Sequence, residues 1–180
     1  VGSKDTDTVN RATHTGIALS VVTGLLLMLF GIGGAPFYIR WMHTPEAIIP
    51  DAVRYVRIYF LSMIPLVFYN IGSGIIRARG NSEAPMTMQI TGGIINVMMD
   101  LAFVRIWHFG VQGIAWATMF SQTTAAAMTL IWLIRHREYG SLRFTEIRIH
   151  KDLMSQILKI GVPAGLQAMV ITLSNVFIQS

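Results

Sequence analysis

The 180-residue sequence contains no cysteine, which excludes a disulfide framework, a thiolate metal site and a cysteine nucleophile. Charge is scarce: 13% of residues are Asp, Glu, Lys or Arg, about half the share of an average soluble domain. That is too little polar surface to solvate a globule. Enzyme signatures are missing as well. His14, His43, His108, His136 and His150 are scattered without the helical pair of a zinc protease, and there is no Walker-type phosphate loop. No enzymatic activity and no cofactor are therefore expected. The net charge of +5 does not point to nucleic acid, because no nucleic-acid-binding motif surrounds the basic residues. No signal-peptide pattern opens the chain. With Val at its first position and an apolar stretch running up to Ser180, it reads as an excerpt of a longer protein.

What the chain does have is apolar length, with 53% hydrophobic residues. A spanning helix takes roughly 20 mostly apolar residues. Ala12 to Ile39 carries no Asp, Glu, Lys or Arg, and at about 1.5 Å per residue it exceeds the bilayer core. It is expected to tilt, or to break near Gly31, Gly33 and Gly34 before Pro36. A second uncharged run covers Ile58 to Ile76, with Pro65 as a kink site. A third run opens at Pro85, a good first helical residue, and reaches Trp107. A fourth covers Gly113 to Ile134, and a fifth opens at Gly161-Val162-Pro163. None shows sustained period-2 alternation, which argues against a transmembrane barrel. The expected fold is an all-α polytopic helical bundle of four full spans and the start of a fifth. Residues 1–134 form the bundle, 135–159 a connector lying on the membrane surface, and 160–180 the start of the next helix.

The loops alternate between two sides. One side holds Lys4, Arg11, Arg77, Arg79, Arg135, Arg137, Arg143, Arg148, Lys151 and Lys159; the other holds Arg40, Arg54, Arg57 and Arg105. The positive-inside bias makes the richer side cytoplasmic, with loops 77–84 and 135–159 on it, in a multi-pass protein of the cytoplasmic membrane. Trp41, Trp107, Trp116 and Trp132 fall near span ends, as an interfacial aromatic belt does. In the turn from Arg77 to Pro85, Gly80 is placed to take positive φ at a helix end, and Asn81 or Ser82 to cap the next helix.

Asp100 is the most informative residue. It lies about four residues, roughly 6 Å, past the centre of the third run, where a charged carboxylate costs about 2.5–3.5 kcal/mol on insertion scales. Asn96 sits one turn earlier on the same face, so a carboxylate and an amide oxygen share one space, suited to a hard monovalent cation or a proton. The alternative is an Asp100 that only pairs with Arg105 or bonds a neighbouring helix. Asn70, deep in the second run, reads first as interhelical hydrogen-bond glue. Thr118 is capable of bonding back to its own helix, and Tyr55 stands at a helix entrance, where a belt role is the default. Met86, Met88, Met98 and Met99 share the Asp100 run and supply flexible apolar surface.

Taken together, Arg77, Gly80-Asn81-Ser82, Pro85, Asn96, Asp100, Gly110-Val111, Gly113, Ala117-Thr118, Ser121-Gln122, Lys159 to Pro163 and Gln167 resemble, in order, helices three to seven of the multidrug and toxic compound extrusion (MATE) transporters. The resemblance implies a fragment of a twelve-helix protein with two six-helix lobes around a central cavity, lacking helices 1–2 and most of 7–12. It implies a prokaryotic N-lobe cation site in which Asn96, Asp100 and Thr118 take part with a first-helix Asp outside this sequence. It places Asn70 and Tyr55 near the cavity. Ala164 to Thr172 carries no acid where one branch of the family has one, which implies the DinF-like branch.

The function so implied is a cation-coupled antiporter that exports small amphipathic, often cationic drugs in exchange for H⁺ or Na⁺. Asp100, Asn96 and Thr118 would hold the coupling ion, and the partners would be the bilayer and the rest of the chain. Two alternatives stand beside it. One is a lipid-linked oligosaccharide flippase of the same superfamily, disfavoured because the basic residues lie mostly near span ends. The other is a non-transporting membrane scaffold whose polar residues only bond helices together.

Overall fold

The structure is a computed structural model that describes residues 6–136 and 151–179. It is helical throughout the described residues, in the order α1 (Thr6–Trp41), a 3-10 turn (Glu46–Ile48), α2 (Ile49–Leu61), α3 (Met63–Ala78), α4 (Glu83–Leu101), a π turn (Ala102–Ile106), α5 (Val111–Arg135) and α6 (Lys151–Gln179). Among the described residues, five stretches are long and apolar enough to cross a membrane: Val9–Trp41, Glu46–Ala78, Glu83–Ile106, Val111–Arg135 and Asp152–Thr172. The all-α, multi-span architecture expected from the sequence is the one observed.

The helices form a row. The broken pair α2–α3 lies between α1 and α5, and α4 packs on α5, touching α3 only near their shared turn; α6 touches α1 lightly. Small residues set the spacing. A Cβ on Gly24 would sit 2.8 Å from the Cα of Ile64, so α1 and the start of α3 approach to backbone contact. The buried core joins Ile17, Tyr69, Ile76, Met88, Ala125, Ala126 and Leu133, all toward the end of the bundle that carries the 77–84 turn. In that turn Gly80 has φ +88°. Its N–H bonds the Arg77 carbonyl at 2.9 Å and that of Asn81 the Ile76 carbonyl at 3.3 Å, the paired bonds of a Schellman stop. Asn81, rather than Ser82, caps α4: its Oδ1 accepts the Ala84 N–H at 2.9 Å. The Tyr69 hydroxyl donates to the Pro85 carbonyl at 2.9 Å and fastens α3 to the start of α4.

Three expectations are corrected. First, α1 runs unbroken through Pro36, so its surplus length is not relieved by a break. Second, the second span begins well before Ile58. Arg54 and Arg57 belong to α2, not to a loop, because they occupy one exposed stripe of an otherwise apolar helix together with Asp51. Tyr55 therefore sits mid-helix, stacked on Tyr59 at 6.3 Å, and not at a helix entrance. The interruption falls at Ser62, whose hydroxyl donates to the Tyr59 carbonyl at 2.6 Å. Pro65 follows as the third residue of α3, where a missing N–H costs little. Third, α6 opens at Lys151, ahead of Gly161, with Pro163 inside it. Residues 137–150 of the expected connector lie outside the described residues.

Candidate functional site

The α4–α5 contact builds the site. Ser121 is 7% exposed and its hydroxyl donates to the Gly92 carbonyl at 2.7 Å, with ordinary van der Waals room around Gly92. At the other end of this antiparallel contact, Gly113 fits under Phe103, eleven residues beyond Gly92, where a Cβ would approach the Phe103 Cβ to 2.8 Å. Rings cluster at that end: Phe103 lies 5.1 Å from Trp107, 5.6 Å from Phe109 and 5.9 Å from Phe120. The chain turns there with the π turn and with positive φ at His108 and Gly110.

Between these two contacts the α4 surface rotates away from α5. At 100° per residue, Asn96 is about 40° and Asp100 about 80° from the direction of Gly92, whereas Phe103 returns to within about 20°. Asn96 and Asp100 are thus on the flank of the contact, and both are half-buried. The Oδ1 atom of Asp100 is itself buried and has no hydrogen-bond partner. Arg105 is exposed on the π turn and leaves that oxygen unpaired. An orphaned carboxylate oxygen in such a setting is costly and is chemically ready for a proton or a cation.

Thr118 stands on α5 one turn from Ser121, half-buried, near the level of Asn96. Its hydroxyl proton goes to the Ile114 carbonyl at 3.0 Å. The back-bond anticipated from sequence is therefore present, and it leaves the oxygen lone pairs available as a ligand. A carboxylate, an amide oxygen and a hydroxyl oxygen are ligand types that a hard monovalent cation takes, and no hydrogen bond joins Asn96, Asp100 and Thr118 to one another among the described residues. No cluster of three His, Cys, Asp or Glu exists among the described residues. Asn70 is exposed on α3 beside buried Tyr69, and Tyr55 lies on α2. No hydrogen bond joins either to Asn96, Asp100 or Thr118 among the described residues.

Two features escaped the sequence reading. Arg57 donates from Nε to the Ile32 carbonyl of α1 at 3.4 Å; only the stripe formed with Arg54, three residues earlier, hinted at it. Arg79 sends Nη2 to the Thr13 hydroxyl at 2.7 Å, while its Nε and Nη1 are buried without partners. Burial pushes this guanidinium down from its ordinary value.

Comparison with known proteins gives one consistent answer. The MatE family matches residues 1–102. A probable multidrug resistance protein of Bacillus subtilis (strain 168), YpnP, is 33% identical over 172 residues, covering 92% of this chain and 37% of its own length. A second from the same organism, YoeA, is 26% identical over 188 residues, covering 99% of this chain and 40% of its own. A solved outward-facing multidrug resistance MATE transporter of the MOP superfamily superposes with a TM-score of 0.85 at 23% identity, over 93% of this chain and 38% of that one. The chain thus spans well under half the length of the relatives it matches.

Proposed function

The chain belongs to the MatE family of membrane transporters, and from that premise we propose that the protein it comes from is a cation-coupled antiporter exporting small amphipathic compounds from the cell. The names of its relatives, probable multidrug resistance proteins, support the substrate class. The observation that carries the coupling is the buried, unpartnered Oδ1 of Asp100. Empty and ionised, this group is held at a cost in a low-dielectric wall. Uptake of H⁺ or Na⁺ removes that cost and favours a different packing of the bundle. Asn96, one turn away, and the Thr118 lone pairs supply the remaining oxygens for a cation or orient the carboxyl for a proton. The membrane potential adds about 2.3 kcal/mol per charge per 100 mV to the inward movement of the ion. Asn70 and Tyr55 face the substrate path in this reading.

The test is Asp100→Asn in the full-length transporter, assayed in vesicles with an imposed cation gradient. Export driven by the gradient is expected to be lost, while membrane insertion and thermal midpoint stay at the wild-type level. Gradient-driven export at the wild-type rate would remove Asp100 from the mechanism. A lowered midpoint with coupling intact would show that the residue only bonds helices together.

A further inference from the structure

Pro36 lies inside α1, and the helix continues five residues past it to Trp41. Proline has no N–H, so the carbonyl four residues back, that of Ile32, loses its intrahelical partner. In lipid or in a packed bundle an unsatisfied carbonyl costs several kcal/mol. The only helix that supplies a donor to it among the described residues is α2, through the Nε of Arg57 at 3.4 Å. The register brings them together without strain: Phe60, one turn along α2, sits over Gly31, which has no side chain to block it. Arg57 is otherwise hard to explain. It is a guanidinium on a membrane-spanning stretch, its side chain is exposed, and it turns toward a neighbouring helix.

We propose that Arg57 is a positioning residue that replaces the hydrogen bond Pro36 removes, so that a single cross-helix bond holds the outer end of α1 (Phe37 to Trp41) against α2. The proline and the arginine form one device. Pro36 loosens the helix at a fixed point, and Arg57 decides whether that point is closed. An intrahelical bond cannot be broken without unravelling a turn, whereas a side-chain bond is made or released as α2 shifts. The outer end of α1 is therefore free to reorient while the helix stays intact. This does not depend on Asp100 or on the coupling ion.

The test is a double-mutant cycle in the full-length protein reconstituted in nanodiscs, read by amide hydrogen exchange over residues 37–41. Arg57→Met is expected to raise exchange there about tenfold, the order by which a hydrogen bond to a charged group shifts an opening equilibrium. Pro36→Ala restores an N–H in reach of the Ile32 carbonyl. In that background Arg57→Met is expected to leave exchange unchanged. Should Arg57→Met alone fail to fold, folding of Pro36→Ala/Arg57→Met gives the same support. Equal effects of Arg57→Met in both backgrounds, no effect in either, or failure of the double variant to fold would each overturn the proposal. Loss of export by Asp100→Asn would leave this result untouched, so the two readings fail separately.

Discussion

Single polar atoms decide most of what this bundle does, because each one in an apolar setting needs a partner. Tyr69 illustrates the structural case. Its hydroxyl is the buried donor to the Pro85 carbonyl, which keeps its intrahelical donor as the third residue of α4, so Tyr69→Phe deletes one bond and orphans no acceptor. A loss of about 1 kcal/mol is expected, seen as a lower thermal midpoint in detergent with transport retained; an unchanged midpoint would mean that this bond does not hold α3 to α4. Asp100 is the opposite case, a carboxylate with one oxygen left open. Its unusual setting was legible in the sequence because an acid stood in an apolar run with Asn96 one turn before it. That Arg105 does not occupy it was not legible, since the two are five positions apart and only the π turn determines where the guanidinium goes.

At the scale of elements, helix proximity is set by glycines whose neighbours differ sharply. Gly24 faces backbone, with the Met63 carbonyl oxygen 3.2 Å and the Ile64 Cα 2.8 Å from an added Cβ, whereas Gly33 has nothing within 4 Å. Gly24→Leu is expected to force α1 from α3 and to cost about 1–3 kcal/mol. Gly33→Ala is expected to be neutral or to stabilise by up to about 1 kcal/mol through helix propensity. Thermal melts of the two variants check the contrast, and equal destabilisation would refute the packing account. Sequence pattern located α4 and α5 to within a few residues because turns bounded them: Gly80 and Asn81 before α4, Gly110 before α5. It missed α2 because Arg54 and Arg57 look like loop residues when counted along the chain. They become helix residues once their three-residue spacing is placed on one face. The interruption at Ser62 was equally hidden, because Pro65 carries the stronger sequence signal but sits where a helix start tolerates it.

At the scale of the molecule, the 77–84 turn and the start of α1 are tied at one end of the bundle by Arg79 and Thr13. The same end holds the buried core, with Ile76 and Leu133 almost wholly enclosed. The asymmetry of basic residues puts this end on the cytoplasmic side. Because these 180 residues contain no cysteine, Ser82→Cys gives a clean probe in a full-length chain without other cysteines. It is expected to react with an impermeant maleimide in inside-out vesicles and not in intact cells; the reverse pattern would invert the topology. The family was legible from ordered motifs spread along the chain, each weak alone. What covers the exposed outer face of α4 was not legible, because an apolar surface in a membrane protein reads alike whether lipid or another helix lies on it.

The spacing of the α4–α5 fastenings has a mechanical consequence. Asn96 and Asp100 lie between two clamps, Ser121 on Gly92 and Phe103 over Gly113, so the stretch that carries them behaves as a strut held at both ends. In the proposed mechanism, filling or emptying the carboxylate bows that strut without detaching it, and the deflection passes outward to the ring-lined corner and inward to the hairpin.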